Sequence, residues 1–284
     1  MIDFHTHPVL IRELLEKYPN YERVARQVFK IGNNFQPLET FFLQMDVAGI
    51  EKAVLLPIDC RRARKDAVSS NEQVAELCRR SPRFIGFASV DPLRKGAAHE
   101  LERAVKDLGL KGLKLDPALQ DFRPNNRKVF PVYEAAAALG IPLLVHAGMS
   151  WAPETPLERG HPLHLEEPIR AFPKLAFVLA HFAWPWVGEA TALALKYPNV
   201  YLDTSGLYYD SPKEFFQFVF SRQIPATVIE RSLRTKILFG SNYPRVEIKN
   251  MVHALRSLPL TAGCLNLILR ENAEGLLGMK NPER

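Results

Sequence analysis

The chain opens Met1-Ile2-Asp3-Phe4-His5-Thr6-His7-Pro8. This apolar-flanked extended run ends in two imidazoles one residue apart and is stopped by a proline, which cannot continue a strand ladder. Side chains in extended backbone repeat with a period of two, so His5 and His7 project to one side, close enough to hold one cation together. Histidine pairs of this spacing also occur on ordinary surfaces, so the rest of the chain decides what this one is for.

Outward from that strand, short β-rich runs alternate with amphipathic helical patterns to the end of the sequence. Strands are expected over 2–7, 53–57, 84–90, 112–115, 142–146, 176–181, 200–203 and 236–239. Helices are expected over 38–47, 71–79, 97–108, 129–139, 165–172, 187–195 and 251–258. Several strands are nearly continuous apolar runs, such as Phe177-Val178-Leu179-Ala180, as a strand covered on both faces requires. Alternation of this kind implies a parallel sheet, and eight strands with intervening helices make an α/β fold of the (β/α)8 TIM-barrel type. The competing doubly wound sheet lacks its Gly-x-Gly-x-x-Gly phosphate loop in the first strand-to-helix turn. No serine-rich linker, low-complexity tract or repeat divides the sequence, so a single domain over residues 1–284 is expected.

Composition narrows the function classes. With 284 residues, 47% of them hydrophobic, the chain can bury a large core. It has no run of membrane-span length and no basic segment followed by an apolar signal core, which points to a soluble cytoplasmic protein. Three cysteines, Cys60, Cys78 and Cys264, are far apart and read as reduced thiols. The formal charge of +6 is spread among acidic residues, so a solvated surface is expected rather than a nucleic-acid face. Arg61-Arg62-Ala63-Arg64-Lys65 is the one dense basic cluster, and it falls in a loop suited either to an acidic substrate or to solvent.

In a (β/α)8 barrel the groups that do chemistry sit at the C-terminal ends of the strands. His5 and His7 end the first expected strand, His146 the fifth, in Leu143-Leu144-Val145-His146, and His181 the sixth; Asn242 follows the eighth. One histidine after an apolar run is ordinary, whereas four converging on one mouth define a metal or catalytic centre. His99 and His253 fall within helices and are expected at the surface, while His161 and His164 lie in the loop after strand five. Trp151, Trp184, Trp186, Tyr208 and Tyr209 occupy other mouth loops and are candidate walls of an apolar or aromatic substrate pocket.

The pattern of these residues resembles the amidohydrolase superfamily, in particular its amidohydrolase-related branch that includes aminocarboxymuconate-semialdehyde decarboxylase. The resemblance spans nearly the whole chain. It rests on Asp3-Phe4-His5-Thr6-His7, Gly112-Leu113-Lys114-Leu115, His146-Ala147-Gly148, His181, Asp203-Thr204-Ser205-Gly206, Phe239-Gly240-Ser241-Asn242-Tyr243-Pro244 and the terminal Glu271-Asn272-Ala273. It implies that His5, His7 and His146 bind one divalent metal, usually zinc with manganese as the other option, while His181 assists as acid, base or electrophile. It also implies a small-molecule substrate and a homodimer.

Two departures from that pattern bear on chemistry. Asn242 stands where the family typically has aspartate, and an amide brings neither negative charge nor a proton acceptor of carboxylate strength. Three neutral imidazoles then leave the cation's charge uncompensated, which weakens retention but acidifies bound water. Asp116, in Lys114-Leu115-Asp116-Pro117, stands where relatives frequently have histidine; it either supplies the missing carboxylate or forms a turn before proline. Lys114 is expected to anchor an anionic substrate group or to fill the polar barrel mouth, rather than to bridge two metals. The expected activity is hydrolysis or non-oxidative decarboxylation of a small carboxylated or lactone-like molecule, with His181 or Asp116 handling protons. The reading from a different class is a catalytically impaired barrel that binds a ligand or partner, motivated by Asn242.

Overall fold

A computed structural model describes residues 1–18, 20–206 and 211–279. Eight parallel strands form the frame: β1 (Ile2–Thr6), β2 (Lys52–Leu55), β3 (Phe84–Gly86), β4 (Leu113–Leu115), β5 (Leu143–Val145), β6 (Phe177–Leu179), β7 (Val200–Asp203) and β8 (Ile237–Leu238). Strands β1 to β3 pair in sequence order, and β4 to β8 do the same. The two arcs join into a ring. On one side Ala88 bridges Leu113, with Lys114 N–H donating to the Ala88 carbonyl at 2.7 Å. On the other, Phe4 N–H donates to Phe239 O at 2.8 Å and His7 N–H to Tyr243 O at 2.7 Å. The eight strand positions read from the sequence are all occupied, giving the (β/α)8 barrel. The strands are shorter than their apolar runs, because a tilted barrel strand leaves the ladder as it curves into the next loop.

Period-two alternation sorts the side chains into two layers. Leu113, Leu115, Leu143, Val145, Phe177, Leu179, Val200 and Leu202 join the main core with the surrounding helices. Leu144, Val178 and Leu238 belong instead to an inner cluster with Val54, Leu56 and Phe87, which Ala273 joins from the C-terminal helical segment. This inner apolar plug fills the barrel beneath the polar mouth.

The expected helices appear as Leu38–Ala48, Asn71–Arg80, Ala97–Lys106, Phe130–Ala138, Glu166–Ala171, Val187–Lys196 and Ile248–Arg256. Asn71–Arg80 shows why local sequence suffices: Ser70 accepts from Gln73 N–H while the Gln73 side chain accepts from Ser70 N–H, a complete capping box. Three features were not anticipated. The segment after β1 carries helix Arg12–Lys17 and a helical run from Tyr21 to Val28; a hairpin, Ile58–Cys60 with Asp66–Val68, follows β2; and helical segments fill 212–233. None of the described helices is long and apolar enough to cross a membrane.

Candidate metal centre

The mouth of the barrel gathers the histidines read from the sequence. His5, His7, His146 and His181 are all buried. His5 Nε2 lies 3.1 Å from His7 Nε2, and His181 Nε2 lies 3.2 Å from His146 Nδ1. The His5 and His181 ring centroids are 4.9 Å apart, so the two pairs form one cluster.

The opposite nitrogen of each ring fixes which atom carries the hydrogen. His7 Nδ1 is 2.9 Å from the Leu56 carbonyl, His146 Nε2 is 3.2 Å from the Met149 carbonyl, and His181 Nδ1 contacts the Ser205 carbonyl. A carbonyl only accepts, so those nitrogens are the N–H sites. His5 Nδ1 donates to Asp203 Oδ2 at 2.7 Å. The inward nitrogens therefore confront one another as lone pairs, at distances where two acceptors repel unless a shared electrophile lies between them. Burial holds His5, His7 and His181 well below the ordinary imidazole pKa and lowers His146 as well. Neutral, tautomer-fixed imidazoles with converging lone pairs are the donor set a divalent cation requires, so a metal fits these residues. His5, His181 and Asp203 also bring one potential ligand atom each within 4.8 Å of one another.

Backbone geometry around the centre is unusual for non-glycine residues. His181, Phe182 and Ala183 have φ of 60°, 48° and 50°, and Asn242 has φ of 63°. Left-handed conformation costs such residues about 1 kcal/mol or more each, and it persists where the surroundings over-determine it. Asn242 is anchored by its N–H to His5 O at 2.9 Å, and its buried side chain lines the cavity.

That cavity, about 40 Å³, is lined at its floor by His7, His146, His181, Lys114, Asp116 and Asn242. Phe29, Lys30, Leu119, Trp151 and Arg245 form its walls and rim. Lys114 is 1% exposed, and burial pulls its pKa down to about 8 against the opposing pull of Asp116 and Asp203. Asp116 closes a turn with one oxygen and turns the other toward the imidazoles. Its Oδ1 accepts from Ala118 N–H at 3.1 Å and Leu119 N–H at 2.9 Å, a turn closure, while Oδ2 faces His146 Nδ1 at 3.8 Å. Gln120 locks that turn, donating to the carbonyls of Asp59 and Val90 and accepting from Asp116 N–H.

Other expectations need correction. Trp184 does not line the cavity; it packs against the main core, and its carbonyl accepts from Met149 N–H at 2.8 Å. Tyr208 and Tyr209 lie outside the described residues. The arginine cluster does not line the cavity; Arg61, Arg62 and Lys65 are exposed to solvent, and Arg61 pairs with Asp59 and Glu100, Arg62 with Asp91, and Arg64 with Glu154. Asp203 and Ser205, which the sequence marks only as part of the family pattern, are both buried in the centre, where Ser205 Oγ is 2.9 Å from both His5 Nδ1 and His181 Nδ1.

A closed (β/α)8 ring with convergent imidazoles at its C-terminal mouth defines a class of barrels equipped for metal-assisted chemistry on small molecules. Residues 2–279 match the amidohydrolase family, and the chain belongs to it. Gamma-resorcylate decarboxylase from a Polaromonas species is 32% identical over 119 residues, which are 38% of this chain and 35% of that protein. The matched stretches span 11% and 35% of the lengths of the two curated relatives. Among solved structures, an uncharacterized TIM-barrel protein from Bordetella bronchiseptica is 25% identical, with TM-score 0.77 and 98% of each chain covered. A dihydroxybenzoic acid decarboxylase from Polaromonas, solved with bound manganese and the inhibitor 2-nitroresorcinol, shares the fold at 20% identity and TM-score 0.68, covering 99% of this chain and 98% of that one.

Proposed function

We propose that this protein is a metal-dependent, non-oxidative decarboxylase of a small hydroxylated aromatic carboxylic acid. The observation that carries the reading is the position of Lys114: a buried ammonium at the floor of the cavity that His7, His146 and His181 also line. A carboxylate entering there meets a cationic side chain beside the imidazole cluster, while Phe29, Leu119 and Trp151 offer apolar faces to a ring. The names of the decarboxylase relatives support this choice over hydrolysis.

His5, His7 and His146 would hold the metal, zinc or manganese, with His181 beside it. The bound cation would act as a Lewis acid toward the carboxylate and a neighbouring hydroxyl oxygen. Lys114 orients the departing carboxylate, and the aromatic walls exclude water from it. The bond from ring carbon to carboxyl carbon breaks, its electron pair stays on the ring carbon, and CO₂ leaves. That carbon then needs one proton. Asp116 Oδ2 is the oxygen its own turn leaves available to carry it, since Oδ1 is committed to Ala118 and Leu119. Asn242 cannot take this part, because an amide does not shuttle protons at neutral pH. An impaired barrel is less favoured, because all four imidazoles turn an unprotonated nitrogen inward, the arrangement a bound cation requires. The proposal includes a homodimer, resting on the family resemblance, and a cytoplasmic location, resting on sequence.

Elemental analysis of the purified protein beside the His5→Ala/His7→Ala variant, followed by CO₂ release assays on 2,6-dihydroxybenzoate and 5-carboxyvanillate, tests the reading. Near-stoichiometric metal that the variant loses, together with CO₂ release, supports it. Metal-free protein that stays inert after incubation with Zn²⁺ and Mn²⁺ overturns it.

A further inference from the structure

Asp203 is fully buried, and its two oxygens bind different parts of the centre. Oδ2 accepts from His5 Nδ1 at 2.7 Å. Oδ1 accepts from His181 N–H at 2.9 Å, from Ser205 N–H at 3.0 Å and from the Ser205 hydroxyl. One carboxylate thus braces the ring of a β1 histidine and the backbone of the histidine after β6. With its oxygens so engaged, Asp203 sits behind His5 as an acceptor, on the far side of the ring from the Nε2 that meets His7. A carboxylate in this place fixes the tautomer of an imidazole and raises the basicity of its other nitrogen.

The charge arithmetic gives this arrangement its importance. At the floor of the cavity the charge of Asp116 is offset by Lys114 and Asn242 adds none, so a dication among neutral imidazoles needs a further carboxylate. We propose that Asp203 is the charge-balancing positioning residue of the centre, acting through His5 and standing in for the acid that position 242 lacks. This rests on the metal centre proposed above. It adds that this chain's affinity for a cation is set from strand β7.

Metal-free protein is titrated with Zn²⁺ and with Mn²⁺ in competition with a chromophoric chelator, using wild type, Asp203→Asn, Asn242→Asp and the double variant, each checked by circular dichroism. Asp203→Asn is expected to weaken binding roughly 10- to 100-fold. Asn242→Asp is expected to tighten it and to recover at least about tenfold in the double variant, because both acids serve one cation and their effects are coupled. Equal affinity of wild type and Asp203→Asn overturns the role of Asp203 alone. A loss that Asn242→Asp leaves unchanged also overturns it, since a purely steric brace is indifferent to charge at position 242. Failure of the wild type to bind either metal overturns both this role and the centre itself. Imidazole ¹⁵N spectra of the wild type provide a readout that needs no variant. His5 Nδ1 keeps its hydrogen on metal loading if Asp203 is a positioning residue, and loses it if Asp203 and that nitrogen are themselves ligands, which overturns the proposal.

Discussion

Gly240 lies against His5 so closely that a Cβ built on it falls 2.7 Å from His5 Cβ and 3.2 Å from Ser205 Cβ. Neither neighbour can yield: His5 is tied to Asp203, and Ser205 is within 2.9 Å of two imidazoles. Gly240→Ala should therefore displace the β1 ligand strand, destabilising the fold by about 1–3 kcal/mol and weakening metal binding together. Urea unfolding and metal titration of the same variant measure both effects. A variant of wild-type stability with intact metal binding would show that the contact relaxes freely.

Removing the metal with a chelator and restoring it should abolish and recover CO₂ release, whereas His7→Ala should remain inactive after reconstitution. The His7 ring is held by the Leu56 carbonyl and packs at a tilt against Phe29, 4.8 Å between centroids, and alanine supplies neither ligand nor packing. Recovery of His7→Ala with added Zn²⁺ or Mn²⁺ would remove His7 from the centre.

Acid should destabilise the metal-free protein, beginning near pH 6.5. The unfolded chain protonates its histidines at about that pH, while burial keeps His5, His7 and His181 neutral to well below it and His146 neutral somewhat below it. The unfolded state then binds more protons, so stability is full above pH 6.5 and falls as pH drops toward the folded-state values. Asp3 works in the opposite direction. Burial raises its pKa to about 7, so the folded state holds one extra proton between the ordinary carboxylate range and neutrality. Four histidines outweigh one aspartate, and urea midpoints of the metal-free protein should decline from pH 7.5 to 5. A flat profile would mean that the imidazoles are hydrated in the metal-free state.

Lys114→Met separates stability from function. Pulling a lysine pKa down to about 8 by burial reflects an unfavourable charge in the fold worth up to roughly 3 kcal/mol, which methionine removes at similar volume. The variant should match or exceed wild-type stability while losing affinity for the acid substrate, seen as a raised KM or as no measurable turnover. Unaltered kinetics would show that the carboxylate binds elsewhere.

The barrel was legible because its signal is local. Apolar runs such as Leu143-Leu144-Val145 need no distant partner to read as strands, and the residue that ends each run is placed at the mouth by topology alone. The helical segments containing Val24–Val28, Phe218–Gln223 and Ile229–Leu233 escaped because each widens into π-type turns, which break the 3.6-residue repeat that marks a helix in sequence. Asp203 and Ser205 escaped for another reason. Asp203 ends its run at the mouth as the histidines do, but the imidazoles that its carboxylate and the Ser205 hydroxyl meet come from strands distant in sequence, and only the approach to His5 and His181 shows the role. Arg61, Arg62 and Arg64 read as a loose basic patch for the same reason, since Glu100, Asp91 and Glu154 are distant in sequence.

The narrow mouth has a consequence for the order of events. The inner apolar plug closes the barrel from below, so among the described residues the hollow bounded by Phe29, Trp151 and Arg245 is the opening that cation and substrate share. At about 40 Å³ it admits a few waters but no aromatic ring until its rim side chains move aside. The shared opening predicts an order of loading, ion before acid: a seated acid should act as a cork, and metal exchange should stall while the substrate stays in place.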